Sequence, residues 1–212
     1  MTKDKVLNGI LAAKAVAVIR MTDAAKLAKA AAALRKGGLT ALEVTMTVPG
    51  AVGIIRALAR DKDPGVFIGA GTVLDAGTAS EVIAAGADFV VSPITDGDMI
   101  TACREAEVLV VPGAFTPTEI VAAWRAGADI VKVFPATSLG PRFFRDLRGP
   151  LPHIRLMPTG GVTLENAREF LSAGACCVGI GTALLDKKMI DSDDWEGLVL
   201  SARRLVESLR GL

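Results

Sequence analysis

The chain has 212 residues, is 51% hydrophobic and carries a formal net charge of +1. That length suits one (β/α)8 barrel domain over residues 1–212, and near-neutrality without runs of like charge leaves no electrostatic footprint for nucleic acid. No apolar stretch is long enough to span a membrane, Met1-Thr2-Lys3-Asp4-Lys5 lacks a signal peptide's apolar segment, and three cysteines make no disulfide framework, so a soluble, reduced, cytoplasmic protein is expected.

Short β-branched runs alternate with alanine-rich helical stretches from one end to the other. A short amphipathic helix is expected over 4–13, then strands over 16–20, 41–45, 66–71, 89–92, 108–111, 130–134, 154–158 and 177–180. Helices are expected over 24–36, 51–60, 76–85, 96–105, 117–126, 142–147 and 164–172, with a closing one over 195–209. Lys36-Gly37-Gly38, Ala85-Gly86-Ala87-Asp88, Ala126-Gly127-Ala128-Asp129 and Ala173-Gly174-Ala175 each end a helix and lead into a strand. Glycine there caps the helix in the left-handed conformation at no steric cost. Eight strands each followed by a helix is the count of a (β/α)8 TIM barrel, the α/β class expected here; the rival is an open doubly wound sheet. The barrel is preferred because polar residues cluster at many strand ends, which would converge on one rim, where barrel enzymes carry their sites.

Two absences narrow the chemistry. The single histidine, His153, sits at the start of the seventh strand, at the opposite end from that rim, and reads as structural. A His-rich metal site or a Ser-His-Asp arrangement has little to draw on, and there is no tyrosine. Acid–base work falls to Glu, Asp, Lys, water or that histidine, and no metal site is expected.

Lys132 lies in Ile130-Val131-Lys132-Val133-Phe134-Pro135, a run with the character of a buried parallel strand. Burying an ammonium costs several kcal/mol unless it is paired or deprotonated. A desolvated lysine whose pKa falls is a nucleophile that forms Schiff bases with carbonyls. The alternative is a strand-end lysine that reaches water. Glu43, in Ala41-Leu42-Glu43-Val44-Thr45, is the second such residue. Alternation along both strands turns Leu42, Val44, Val131 and Val133 toward the helices, and Glu43, Lys132 and Phe134 into the barrel. A buried ion pair that only fixes register is the competing account. A carboxylate raises the lysine pKa while burial lowers it, so the resting protonation state stays open.

Pro158-Thr159-Gly160-Gly161 follows the seventh strand, and Gly179-Ile180-Gly181-Thr182 ends the eighth. Loops at these two positions of a barrel frequently bind phosphate through backbone N–H groups, and glycine lets the backbone approach an anion closely. Either turn alone is also an ordinary tight connection. Arg20 could clamp a carboxylate bidentately or be a solvated strand-end charge. Thr72 could donate a hydroxyl or cap the next helix. Pro93 and Phe134 could wall a small keto acid or simply pack the core.

Taken together, Glu43-Val44-Thr45, Gly69-Ala70-Gly71-Thr72-Val73, Ser92-Pro93, Val131-Lys132-Val133-Phe134-Pro135-Ala136 and Pro158-Thr159-Gly160-Gly161-Val162 resemble the 2-keto-3-deoxy-6-phosphogluconate (KDPG) / 4-hydroxy-2-oxoglutarate aldolase family, in order and over essentially the whole chain. The resemblance implies a class I, cofactor-free aldolase on a barrel, usually a homotrimer. It would cleave 2-dehydro-3-deoxy-6-phosphogluconate to pyruvate and glyceraldehyde 3-phosphate, with activity also on 4-hydroxy-2-oxoglutarate. Lys132 matches the Schiff-base lysine and Glu43 the acid–base glutamate. Thr72, Pro93 and Phe134 match the pyruvate pocket, and Thr159, Gly160 and Gly161 part of the phosphate site, to which the ordinal rule adds Gly181 and Thr182. One departure is Thr47, where some members carry arginine; Arg20 resembles the arginine that other members use instead. The residues themselves leave open a phosphate-binding barrel isomerase or synthase without covalent chemistry, and a non-catalytic metabolite-binding barrel.

Overall fold

The computed structural model describes residues 1–21 and 23–211. Its strands are β1 (Ala15–Ile19), β2 (Ala41–Thr45), β3 (Phe67–Gly71), β4 (Phe89–Val91), β5 (Leu109–Val111), β6 (Gly113–Ala114), β7 (Val131–Val133), β8 (Leu156–Pro158) and β9 (Val178–Ile180). Helix α1 (Lys3–Ala13) precedes them. Between and after them come α2 (Ala24–Lys36), α3 (Ala51–Arg60), α4 (Ala76–Ala84), α5 (Gly97–Glu105), α6 (Pro117–Ala126), α7 (Gly140–Arg148), α8 (Ala167–Ser172), α9 (Lys187–Asp191) and α10 (Trp195–Ser208).

Every strand pairing is parallel, in the orders β5-β4-β3-β2-β1-β9 and β6-β7-β8. Two junctions turn these into a ring. The Thr159–Gly179 bridge joins the end of β8 to β9. On the other side, β5 and β6 are one barrel strand interrupted at Pro112: β5 pairs with β4 and β6 with β7. Proline has no N–H for a ladder, but its carbonyl still accepts the Lys132 N–H at 2.9 Å. The (β/α)8 barrel is thus the observed architecture.

Alternation sorts the side chains as the strand pattern requires. Leu42, Val44, Ile68, Ala70, Val131 and Val133 belong to the layer between strands and helices. Val16, Ala41, Phe67, Phe89, Val91, Leu109, Val111 and Met157 fill the lumen. Val6 and Ile10 of α1 join that inner cluster, so α1 plugs the N-terminal mouth. A Cβ on Gly9 would lie 2.1 Å from the Phe67 ring, and the missing side chain is what lets α1 seat so closely. With α1 over that mouth, the lumen opens toward the C-terminal rim.

The repeated Ala-Gly-Ala-Asp turns have a structural task. Asp88 accepts the Ile68 N–H at 2.8 Å and pairs with Lys62. Asp129 accepts the Val110 N–H at 3.0 Å and pairs with Lys3 at 3.0 Å. Each carboxylate satisfies a backbone donor at the foot of the preceding strand, where an unpaired N–H would be costly.

Differences from expectation are local. The helix expected from 164 begins at Ala167, because Thr163 Oγ1 accepts the N–H groups of Glu165 and Asn166 while Asn166 Oδ1 accepts that of Thr163. Such side-chain turns compete with helix formation. Helix α9 has no counterpart in the periodicity; Asp186 caps its start and Lys26 Nζ donates to the Ile190 carbonyl at its end, at 2.7 Å. His153 lies edge-on to Trp124 with ring centroids 6.2 Å apart.

Candidate active site

Lys132 is 5% exposed and Glu43 1% exposed, both turned into the lumen from β7 and β2. They differ from the buried Asp129, whose carboxylate is paired and hydrogen-bonded. Neither oxygen of Glu43 has a hydrogen-bond partner among the described residues, and the two side chains form no direct ion pair. Lys132 Nζ stands 4.9 Å from the centroid of the Phe134 ring, a cation–π distance that also places the ring as a wall beside the amine.

Burial drives both groups toward their uncharged forms. It raises the Glu43 pKa above the ordinary carboxylate range, against the opposing pull of Lys132 and then Arg20. It lowers the Lys132 pKa below the usual lysine range, opposed by Glu43 and assisted by Arg20. A neutral amine beside a protonatable carboxyl is a nucleophile with its own acid–base partner.

The room for this carboxyl comes from β3. Gly69 and Gly71 face the lumen beside Glu43 and Thr45 in the β2–β3 register. A Cβ on Gly71 would lie 1.8 Å from Glu43 Oε1, and one on Gly69 would lie 2.2 Å from the Phe89 ring. The sequence signal for this was the Gly-Ala-Gly spacing itself, with both glycines at lumen parity. Thr45, also fully buried, was not singled out from the sequence; its Oγ1 lies 2.8 Å from Thr47 Oγ1.

A cleft of about 610 Å3 opens on the rim beside the lumen, formed by the ends of β8, β9 and β1. Arg20, Phe134, Thr159, Gly160, Gly161, Gly181 and Thr182 all line it, as does Gly179 of the same expected turn, and Val18 and Lys187 join them without having been foreseen. Gly160 and Gly161 both have left-handed backbones (φ 85° and 74°). A Cβ on Gly161 would lie 2.6 Å from Thr137 Oγ1, so glycine is required there twice over. Thr159 Oγ1 is buried and unpartnered among the described residues, and it reaches over Gly179, where a Cβ would approach to 2.3 Å.

Glu43, Lys132, Thr72 and Pro93 do not line this cleft. The first two lie behind it in the lumen. Thr72 and Pro93 stand at the ends of β3 and β4, on the opposite arc of the same rim. Thr72 is not the N-cap of α4: Asp75 is, accepting the Thr78 N–H at 2.7 Å, and Thr72 holds a left-handed backbone (φ 59°) that non-glycine residues rarely adopt. Gly113 lets β6 approach Pro93, since a Cβ there would lie 2.3 Å from the proline's carbonyl.

The comparisons with known proteins agree with this geometry. Residues 6–200 match the family described as "Aldolase: KDPG and KHG aldolase". The 2-dehydro-3-deoxy-phosphogluconate aldolase of Pseudomonas aeruginosa is 39% identical over 92% of this chain and 89% of its own. The KHG/KDPG aldolase of Escherichia coli K12 is 32% identical over 92% of this chain and 90% of its own. Among solved structures, the Zymomonas mobilis ZM4 2-keto-3-deoxy-6-phosphogluconate aldolase with 3-phosphoglycerate superposes with a TM-score of 0.87, at 27% identity, covering 100% of this chain and 99% of that one. The Legionella pneumophila KDPG aldolase, with pyruvate captured at low pH as a covalent carbinolamine intermediate, gives 0.86 at 28% identity, over 94% of this chain and 97% of that one. A barrel with an unpaired lysine and glutamate buried in its lumen and glycine turns at its rim, matched over most of its length by these relatives, belongs to the KDPG and KHG aldolase family, and the chain is a carbon–carbon lyase.

Proposed function

We propose that this enzyme cleaves 2-dehydro-3-deoxy-6-phosphogluconate to pyruvate and glyceraldehyde 3-phosphate through a Schiff base on Lys132, and that it also accepts 4-hydroxy-2-oxoglutarate. The observation that carries this reading is the pair Lys132 and Glu43, buried and unpaired in one lumen, each driven toward neutrality by burial. The names of the relatives supply the substrates, and the carbinolamine captured in the Legionella enzyme supplies the covalent precedent.

Neutral Lys132 attacks the C2 keto carbon, giving a carbinolamine that loses water to a protonated Schiff base. Glu43 moves protons to and from the departing oxygen in this step. The iminium then takes up the electron pair of the C3–C4 bond, while Glu43 accepts the C4 hydroxyl proton and the aldehyde departs. Proton return to C3 of the enamine, followed by hydrolysis, releases pyruvate and frees the amine. Arg20 holds the carboxylate, with Thr72, Pro93 and Phe134 around the keto acid. Thr159, Gly160, Gly161, Gly181 and Thr182 hold the phosphate at the far end of the cleft. No step draws on a metal or cofactor.

The resemblance also carries a homotrimer. Leu74, Ile94 and Phe115, 49%, 48% and 39% exposed, follow β3, β4 and β6 on neighbouring arcs of the rim and give such an assembly an apolar contact surface. The direct test is an assay of purified protein with each substrate. Release of pyruvate with glyceraldehyde 3-phosphate from the phosphorylated one, and of pyruvate from 4-hydroxy-2-oxoglutarate, is expected. A folded protein inert toward both contradicts the reading.

A further inference from the structure

At the opposite end of the barrel from the rim, Cys176 and Cys177 form the link from α8 to β9, with their Sγ atoms 3.8 Å apart. Cys177 is fully buried among the lumen residues at the barrel's foot, while Cys176 keeps partial exposure. Just before β8, Arg155 donates from Nε to the Asp129 carbonyl at 2.7 Å and lays its guanidinium 5.2 Å from the Trp124 ring centroid. Neither thiol takes part in the chemistry at the rim.

We propose that Cys176 and Cys177 are a modification site: a vicinal dithiol that a hydroperoxide oxidises to a disulfide, loosening the foot of β9.

The geometry assigns the roles. Cys176 is the less buried of the two and so the one a small oxidant meets first, and Cys177 is already in van der Waals contact to resolve the product. The sulfur–sulfur hydrogen bond with Cys177 lowers the Cys176 pKa, with Arg155 adding to the effect, whereas Cys177 is raised by the same bond and by burial. The more exposed thiol is therefore also the more readily ionised, as attack requires. The Cys176 thiolate attacks the hydroperoxide, forming an S–O bond as the O–O bond breaks and an alcohol leaves. The Cys177 sulfur then attacks the sulfenic sulfur, and the displaced hydroxyl departs as water with the Cys177 proton. Two thiols give up two electrons and two protons; the hydroperoxide is reduced to alcohol and water.

The product would strain its surroundings. Adjacent Cα atoms lie about 3.8 Å apart across a trans peptide, short of the roughly 4.4–6.8 Å usual between disulfide-linked residues. Closing the ring distorts the link that carries Cys176 N–H to the Leu156 carbonyl and, one residue on, Val178 N–H to the Lys14 carbonyl, both at 2.9 Å. These bonds fasten β9 to its two neighbours, and β9 runs directly into Gly181 and Thr182 on the cleft. A strained disulfide of this kind is also readily reduced, so the change is reversible by thiols.

Trypsin releases residues 169–187 as one peptide holding both cysteines, and Cys103, buried with its thiol pushed up to about 12, serves as an internal control. After treatment of the native enzyme with hydrogen peroxide, that peptide is expected to be two hydrogens lighter, and dithiothreitol should restore it. Cys177→Ala should stop at a sulfenic acid that dimedone captures on Cys176, and Cys176→Ala should stay unmodified. The oxidised enzyme should show a several-fold higher KM for the phosphorylated substrate, reversed by reduction. That kinetic arm rests on the proposed function, whereas the mass measurement stands without it. An unchanged peptide, one that gains oxygens instead of losing hydrogens, or a disulfide that leaves KM unaltered overturns the proposal.

Discussion

Glu43 owes its altered pKa first to burial, and the same burial makes it expensive in its ionised form. Because its folded pKa is raised, the protonated carboxyl contributes stability that is complete below the unfolded value and lost as pH rises through the folded one. Lys132 runs the other way. Its lowered pKa gives stability present above the unfolded value and lost as pH falls, and the fraction of neutral nucleophile grows as pH rises through it. Glu43→Gln keeps the shape over Gly71 and removes the ionisable group. Its kcat should fall roughly 10²–10⁴-fold, the usual worth of a positioned acid–base group. Its melting temperature at neutral pH should hold or rise, because a carboxyl whose ionisation burial disfavours has been replaced by a neutral amide of the same shape. Thermal denaturation run beside steady-state kinetics decides the matter: a destabilised mutant with near-native turnover per folded molecule would make Glu43 a structural residue.

At the scale of elements, the βα units were legible because apolar periodicity and the helix-ending glycines pointed to the same boundaries. Strand β2 and helices α2, α3 and α6 fall where the pattern places them. What was illegible depends on partners distant in sequence. Nothing local tells that Pro112 splits one barrel strand between two neighbours. Helix α9 escaped detection because it is short and held by Lys26 from far up the chain. The lumen pair could be read from parity alone, since two-residue alternation is rigid; the glycine turns of the cleft were legible from their order in the chain, whereas Val18 and Lys187 become its neighbours only when the ring closes. The turn after β8 offers an element-level test. Gly161→Val forces a side chain toward Thr137 at a left-handed backbone position. Cleavage of the phosphorylated substrate should drop at least tenfold more than cleavage of 4-hydroxy-2-oxoglutarate, which has no phosphate to place; an order of magnitude corresponds to about 1.4 kcal/mol of selective binding. Equal losses on both substrates in folded protein would mean that the turn only shapes the barrel.

For the whole molecule, α1 closes one mouth of the barrel and leaves chemistry to the other, where loops vary over a fixed frame. The exposed apolar arc of Leu74, Ile94 and Phe115 lies on that same open end. In solution the enzyme should sediment as a trimer, and Phe115→Asp should shift it toward monomer; a wild-type monomer at micromolar concentration would remove this role from the arc. The central claim is chemical and concerns one amine. Borohydride reduction in the presence of pyruvate, followed by peptide mapping, should leave a stable adduct on Lys132 alone, and Lys132→Ala should lose both adduct and cleavage. An adduct on another lysine, or cleavage that persists in Lys132→Ala, would contradict the account.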